Sequence, residues 1–105
     1  MNYSLMNKER QILTFSTFKT EYGATKARNV RVLAPEGLPV EYTGDIIGFI
    51  ERRKAPKHRK HIQSILRQLG AEDIDGFIRV SRGASLTDTF WVRNDDEPLS
   101  WAQVS

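Results

Sequence analysis

The residues with the clearest capacity for chemistry form a basic run at positions 52–61. Six of the sixteen Lys and Arg residues of this 105-residue chain fall in these ten positions. Such a cluster attracts phosphate groups through the release of counterions, and it also attracts acidic protein surfaces. With one further arginine, the candidate contact residues of this basic elbow are Arg52, Arg53, Lys54, Lys57, Arg59, Lys60 and Arg67.

Three interpretations of the basic elbow stay open. Two apolar helical patterns flank it, as in a helix-turn-helix, and the polar face of the second pattern carries Lys, Arg and Gln side chains suited to phosphates or bases. That motif normally has a glycine in its turn, which this segment lacks. The elbow is therefore a hydrated helix face, a contact for an acidic protein, or a nucleic-acid contact.

Other titratable residues predict no metal site and no catalytic site. His58 and His61 are three residues apart in a helical pattern, but no carboxylate or cysteine close in sequence completes a ligand set. Asp73 and Asp95 are placed as helix caps or turn residues. The chain contains no Walker A motif, no G-x-G-x-x-G and no recognisable catalytic triad order. We expect a protein that is not an enzyme and that uses no cofactor.

An aromatic segment lies near residue 90. Phe90 and Trp91 belong to an apolar strand pattern, and Trp101 follows Ser100 in a capping box that Gln103 completes, so a short helical turn is predicted from Trp101. Two roles are open for these three aromatic residues. They close the hydrophobic core, or one tryptophan anchors a protein interface.

The same segment resembles a known family. The sequence R-G-A-S-L-T-D-T-F-W-V-R at 82–93, followed by L-S-W-A-Q-V at 99–104, is similar to a pattern in the N-terminal region of HipA-like serine/threonine kinase proteins. Weaker matches are Leu38-Pro39-Val40, the spaced Arg53, Pro56 and Arg59, and 62–70. The resemblance extends from about residue 11 onward.

The resemblance implies a non-catalytic, protein-binding module from a toxin–antitoxin or mobile-element context. In the family this region precedes the kinase domain, so no catalytic residue transfers to any position here. Whether the chain is a fragment or a separate protein stays open. The alternative is a small phage-encoded inhibitor of the anti-CRISPR kind, or a nucleic-acid-binding protein that uses the elbow at 52–67. A protein partner is expected first and nucleic acid second.

The elements that position these residues follow from hydrophobic periodicity. Alternating runs at 3–6, 12–18 and 29–33 predict an N-terminal antiparallel sheet. Apolar stripes at 46–50 and 62–69 predict two helices, with Thr43 or Asp45 as the first N-cap, and a third short helix is predicted at about 72–80. With a closing strand and a C-terminal helical turn, the chain is a single α+β domain over 1–105.

Composition limits the setting. Apolar residues make up 39% and charged residues 28% of the chain, as in folded, hydrated proteins. No run is long enough to span a membrane, and zero cysteines fit a reducing cytoplasm. The net charge is +3. The oligomeric state is left open.

Overall fold

The computed structural model of the chain describes residues 1–53, 73–84, 88–97 and 99–104. It is an α+β fold in which one four-stranded antiparallel sheet carries short helices. The predicted helix at 62–69 and the histidines of the elbow lie outside the described residues.

The sheet begins with a hairpin. Strand β1 (Asn2–Asn7) turns tightly into β2 (Arg10–Lys19), and Lys8 in the turn has a positive φ of 53°. The chain then forms β3 (Thr25–Val32) and, much later, β4 (Phe90–Asn94). The strand order is β3-β2-β1-β4, so β1 is central and pairs with both β2 and β4. The predicted closing strand therefore joins the N-terminal sheet itself.

Alternation of side chains gives the sheet two different faces. Tyr3, Leu5 and Val92 lie on the face that packs against the helices and belong to the core. Met6 and Trp91 are paired on the opposite face and are also buried, although they lie outside that core cluster. Farther along the same opposite face, toward β3, the side chains become polar and charged.

In the described parts of the chain, two helices cover the core face, and each follows an aspartate. Helix α1 (Ile46–Arg52) follows Asp45, whose carboxylate accepts from the Gly48 N–H at 3.0 Å. Helix α2 (Ile74–Ser81) follows Asp73, which accepts from the Gly76 N–H at 2.7 Å. These N-caps satisfy backbone donors that the first turn leaves free. Helix α1 ends at Arg52.

The helices bury the residues that their apolar stripes predict. The buried helical side chains are Ile46, Phe49 and Ile50 from α1, and Ile74, Phe77 and Ile78 from α2. Between β3 and α1 the chain makes a short 3-10 turn at Pro35–Gly37, as expected for a segment in which proline and glycine end the strand.

The C-terminal turn α3 (Trp101–Val104) starts where the capping box predicts. The Ser100 N–H donates to Oε1 of Gln103 at 2.7 Å, which is the reciprocal bond of that motif. None of the helices in the described parts of the chain has the length and apolar character that a bilayer crossing requires.

Candidate protein-binding surface

Arg53 lies inside the protein, although the sequence suggested a surface contact. Its side chain follows the end of α1, and the residue is only 3% exposed. The guanidinium donates to both carboxylate oxygens of Asp88 at 2.8 and 2.9 Å and to the Gly83 and Phe90 carbonyls at 2.6 and 3.0 Å. A buried arginine is tolerated when its planar donors are satisfied in this way. Arg53 therefore serves the fold and offers nothing to a partner.

This network closes one side of the sheet. The N–H of Val92 in β4 points away from β1 and donates to the Arg82 carbonyl at 2.7 Å. Gly83 follows in a left-handed conformation that brings its Cα close to Val92. We call β4 together with Arg53, Arg82, Gly83 and Asp88 the closed edge.

The other described member of the basic elbow behaves differently. Arg52 is exposed and donates to the Glu41 carbonyl at 2.7 Å. Two consecutive arginines thus have opposite environments, because the last turn of the helix directs them to different sides. The remaining elbow residues, Lys54, Lys57, Arg59, Lys60 and Arg67, lie outside the described residues.

The aromatic residues divide between the core and its margin. Trp91 is 0% exposed, and its indole N–H donates to the Lys8 carbonyl at 2.7 Å, so it is a buried residue of the sheet face opposite the helices. Phe90 is half-buried against the helix-side core. Trp101 is half-buried, and its backbone N–H donates to Oε1 of Glu9 at 2.7 Å.

A cleft of about 360 Å³ lies between α2 and the end of β4, with Tyr3 and Asp75 in its wall. The Tyr3 hydroxyl donates to Asp75 at 2.6 Å, and the Thr17 hydroxyl donates to the same oxygen at 2.9 Å. Burial, followed by the hydrogen bond to Asp75 and its negative charge, raises the pKa of Tyr3 well above its usual range. The tyrosine thus stays protonated as a donor. Within the described ranges, no three His, Asp or Glu side chains group as metal ligands.

The opposite margin of the sheet presents unpaired charge. Strand β3 has the sequence T-K-A-R-N-V-R-V, with three cations and no carboxylate. Among the described residues, Lys26, Arg28 and Arg31 make no ion pair. Arg28 instead lies over the Phe18 ring, 4.1 Å from its centroid. We call the side chains of Lys26, Arg28, Val30, Arg31 and Val32 the β3 surface.

Two exposed apolar side chains lie on the other face of the same edge strand, the face toward the helices. Val30 is 43% exposed and Val32 is 38% exposed, which is unusual for valines in a strand. A groove of about 420 Å³ separates β3 from the start of α1, with Ala27 and Val30 on one side and Gly44 and Ile47 on the other. The β3 surface therefore combines exposed apolar area, positive charge and a groove.

Sequence reasoning concentrated on the elbow and missed this surface. The signal was present: Lys26, Arg28 and Arg31 follow one another without a single acidic residue from position 22 to 35. What the sequence did not reveal was that β3 is an edge strand. No protein-family model, curated protein or solved structure matches this chain.

Proposed function

We propose that this chain is a non-catalytic protein-interaction module that contacts its partner through the β3 surface. The observation that supports the proposal is the coincidence of exposed valines and unpaired cations on an edge strand. Exposed apolar area rimmed by polar groups is typical of protein interaction sites. The similarity to the N-terminal region of HipA-like proteins adds the toxin–antitoxin or mobile-element context.

The charge of the β3 surface specifies the chemistry of the partner. Three cations that make no ion pair among the described residues favour an acidic protein, because complementary potentials accelerate encounter and reject partners of the same sign. Arg52, the exposed described residue of the basic elbow, extends the positive potential without belonging to the β3 surface. Arg53 is left out of the proposed contact because it is buried.

Nucleic acid is the second candidate, and one observation favours it. Arg28 stacked on Phe18 places a cation and an aromatic ring together on the sheet face that the described helices leave uncovered. Proteins that bind single strands without sequence preference combine such rings with basic tracks. A single ring is a small platform, so we rank this function below protein binding.

The experiment begins with capture of the partner. A photoreactive amino acid replaces Val30, the chain is irradiated in a lysate of its source organism, and the cross-linked protein is identified and purified. Its binding to the unmodified chain is then measured by biolayer interferometry. A variant with Lys26→Glu, Arg28→Glu and Arg31→Glu is expected to lose binding by at least about tenfold, as for charged contacts in an interface.

A matched variant controls for net charge. Lys8→Glu, Arg52→Glu and Arg79→Glu change three exposed cations elsewhere by the same total charge. We expect this control to slow association and to leave dissociation unchanged. Equal affinity of the β3 variant and the control would contradict the proposal. A gel shift with single-stranded DNA at low salt that the β3 variant abolishes would favour the second candidate.

A further inference from the structure

We infer that the partner binds as an added strand: an extended acidic segment pairs with the outer side of β3 and becomes a fifth strand of the sheet. This inference rests on the proposed function and specifies how the β3 surface is used. Strand addition to an exposed sheet edge takes its affinity from backbone hydrogen bonds and its specificity from alternating side chains.

The hydrogen-bond pattern identifies the backbone groups that are available. The Thr17 N–H donates to the Met1 carbonyl at 2.9 Å, so the backbone of Thr17 faces β1. Its partner across the ladder is Ala27. In an antiparallel pair, residues opposite each other direct their backbone groups either both toward or both away from the shared ladder. The N–H and C=O of Ala27 therefore point outward, away from the sheet.

The same reasoning applies at both ends of β3. The Thr20 N–H donates to the Ala24 carbonyl at 2.9 Å, which makes that pair a bonded one and turns the backbone of Thr25 outward. At the far end, the Leu33 N–H donates to the Ile12 carbonyl at 2.9 Å, so the backbone of Val32 also faces outward. Within the described parts of the chain, no backbone bond to these outward groups is found.

The register limits where a strand can add. Pairing of β3 with β2 is regular from Thr25 to Arg28 and shifts between Thr14 and Ser16. Asn29 beside this irregularity has a positive φ of 55°. Bulges of this kind bend an edge and interrupt regular pairing. The added strand is therefore short and centred on Thr25–Arg28.

The two sides of β3 dictate the pattern of the incoming segment. Ala27 lies on the helix side, where the groove toward Ile47 offers apolar contact. Arg28 pairs with Ser16 on the opposite face, and Lys26 pairs with Phe18 there. A matching strand carries apolar residues on the helix side and carboxylates on the other, which is an alternating acidic and apolar sequence.

A second copy of the chain is a poorer occupant than an acidic segment. Two β3 strands side by side would bring Lys26 and Arg28 close to the same residues of the other copy, with no carboxylate on either strand. Like charges on neighbouring strands are destabilising, and edge cations are a common protection against self-pairing. The charge that prevents self-association is the charge that selects an acidic segment.

The test uses the full chain and a defined probe. The probe is a short fluorescent peptide of alternating glutamate and valine, blocked at both ends, and the control peptide has lysine in place of glutamate. We expect the glutamate peptide to increase in anisotropy on binding and the lysine peptide to remain free. Amide exchange followed by NMR is expected to slow at Thr25 and Ala27 and to stay unchanged at Lys26.

A pair of substitutions tests the backbone directly. Ala27→Pro removes the outward N–H without removing a bond to β2, a position at which an edge strand tolerates proline. Ala27→Ser keeps that N–H. We expect Ala27→Pro to weaken peptide binding about tenfold and Ala27→Ser to change it less than about twofold. If Ala27→Pro does not fold by circular dichroism, Thr25→Pro against Thr25→Val replaces the pair.

Each outcome separates the two proposals. Equal binding by Ala27→Pro and Ala27→Ser, with loss in the β3 charge-reversal variant, overturns strand addition and leaves the proposed function intact. Equal binding of the natural partner by the charge-reversal variant overturns the proposed function itself. A dimer seen by sedimentation that Ala27→Pro disrupts would make a second copy the occupant and would also overturn the inference.

Discussion

The two edges of the sheet use arginine in opposite ways. At the closed edge, Arg53 is buried and its donors are taken up by Asp88 and two carbonyl groups. At the edge formed by β3, which we call the open edge, Arg28 and Arg31 have no ion-pair partner among the described residues. The difference teaches that a positive residue belongs to the fold where its donors are satisfied internally and to the surface where they are not.

The contrast predicts an asymmetry in substitution effects. Changes at the closed edge leave buried polar groups without partners, and such changes cost folding free energy. Changes at the open edge remove groups that already face water, and they alter binding more than folding. Three of the four substitutions below measure this asymmetry through the free energy of unfolding, obtained from urea titrations, and the fourth, Tyr3→Phe, adds a reference in the central strand β1.

Arg53→Met is expected to have the largest effect. It removes one charged partner of the partly buried Asp88 and the guanidinium donors to the Gly83 and Phe90 carbonyls. Breaking a buried ion pair from one side typically costs about 3–5 kcal/mol. Arg52→Met is the control and is expected to change stability by less than about 0.5 kcal/mol. Similar losses in the two variants would show that the closed edge is not held by Arg53.

Gly83→Ala follows, because position 83 combines two costs. Its φ is +61°, and an added Cβ would lie 2.9 Å from a Val92 methyl carbon. Left-handed strain and overpacking together predict a loss of about 2–4 kcal/mol. Gly23 has a φ of +83°, and a Cβ added there would have no atom within 4 Å. Gly23→Ala therefore measures the left-handed strain alone, which we expect to cost about 1–2 kcal/mol. A larger loss at Gly23 would contradict the close approach of residue 83 to β4.

Tyr3→Phe is third and also carries a pH dependence. The substitution removes the hydrogen bond from Tyr3 to Asp75, while the hydrogen bond from Thr17 to Asp75 stays. We expect this loss to cost about 1–2 kcal/mol of unfolding free energy at neutral pH. The pKa of Tyr3 is raised in the folded state, so the folded protein keeps this proton after the unfolded chain loses it near about pH 10.

The sign of that pH dependence is fixed. Above about pH 10 the native state binds more protons than the unfolded state, so stability falls as the pH rises, by up to about 1.4 kcal/mol per unit. The difference between the original protein and Tyr3→Phe removes the contributions of the other titrating groups. Parallel stability curves from about pH 9 to about pH 11 would show that Tyr3 titrates normally.

Arg28→Ala is expected to have the smallest effect. Its stacking on Phe18 is an exposed cation–π contact, worth about 0.5–1 kcal/mol. Arg31→Ala serves as the comparison, since no described contact engages its guanidinium, and its change is expected to lie within about 0.5 kcal/mol. If either substitution lowered the free energy of unfolding as much as Arg53→Met, the open edge would also support the fold.

Local features of this fold are predictable from the sequence. The β1–β2 hairpin, the aspartate caps of both helices and the start of α3 follow from alternation and capping rules over a few neighbouring residues. The apolar stripes also identify the buried faces of α1 and α2.

Long-range features are not predictable in the same way. Nothing in the sequence around Leu5 indicates that Val92 lies opposite it in the sheet. Yet the pairing of β1 with β4 determines which strands lie at the edges. The burial of Arg53 depends on Asp88, 35 positions away, whereas a run of cations indicates solvent exposure. The candidate surface was missed for the same reason, because edge position is a property of the whole sheet.

The central position of β1 has a consequence for the order of folding. Its partner β2 is adjacent in sequence, but β4 is synthesised last among the described strands. Until then, the flank of β1 next to Leu5 and Met6 lacks its neighbouring strand on a growing chain. Contacts of such sequence separation slow folding, and unpaired apolar strand edges attract other chains. We therefore expect chaperone dependence during translation to end only after residues 90–94 leave the ribosome.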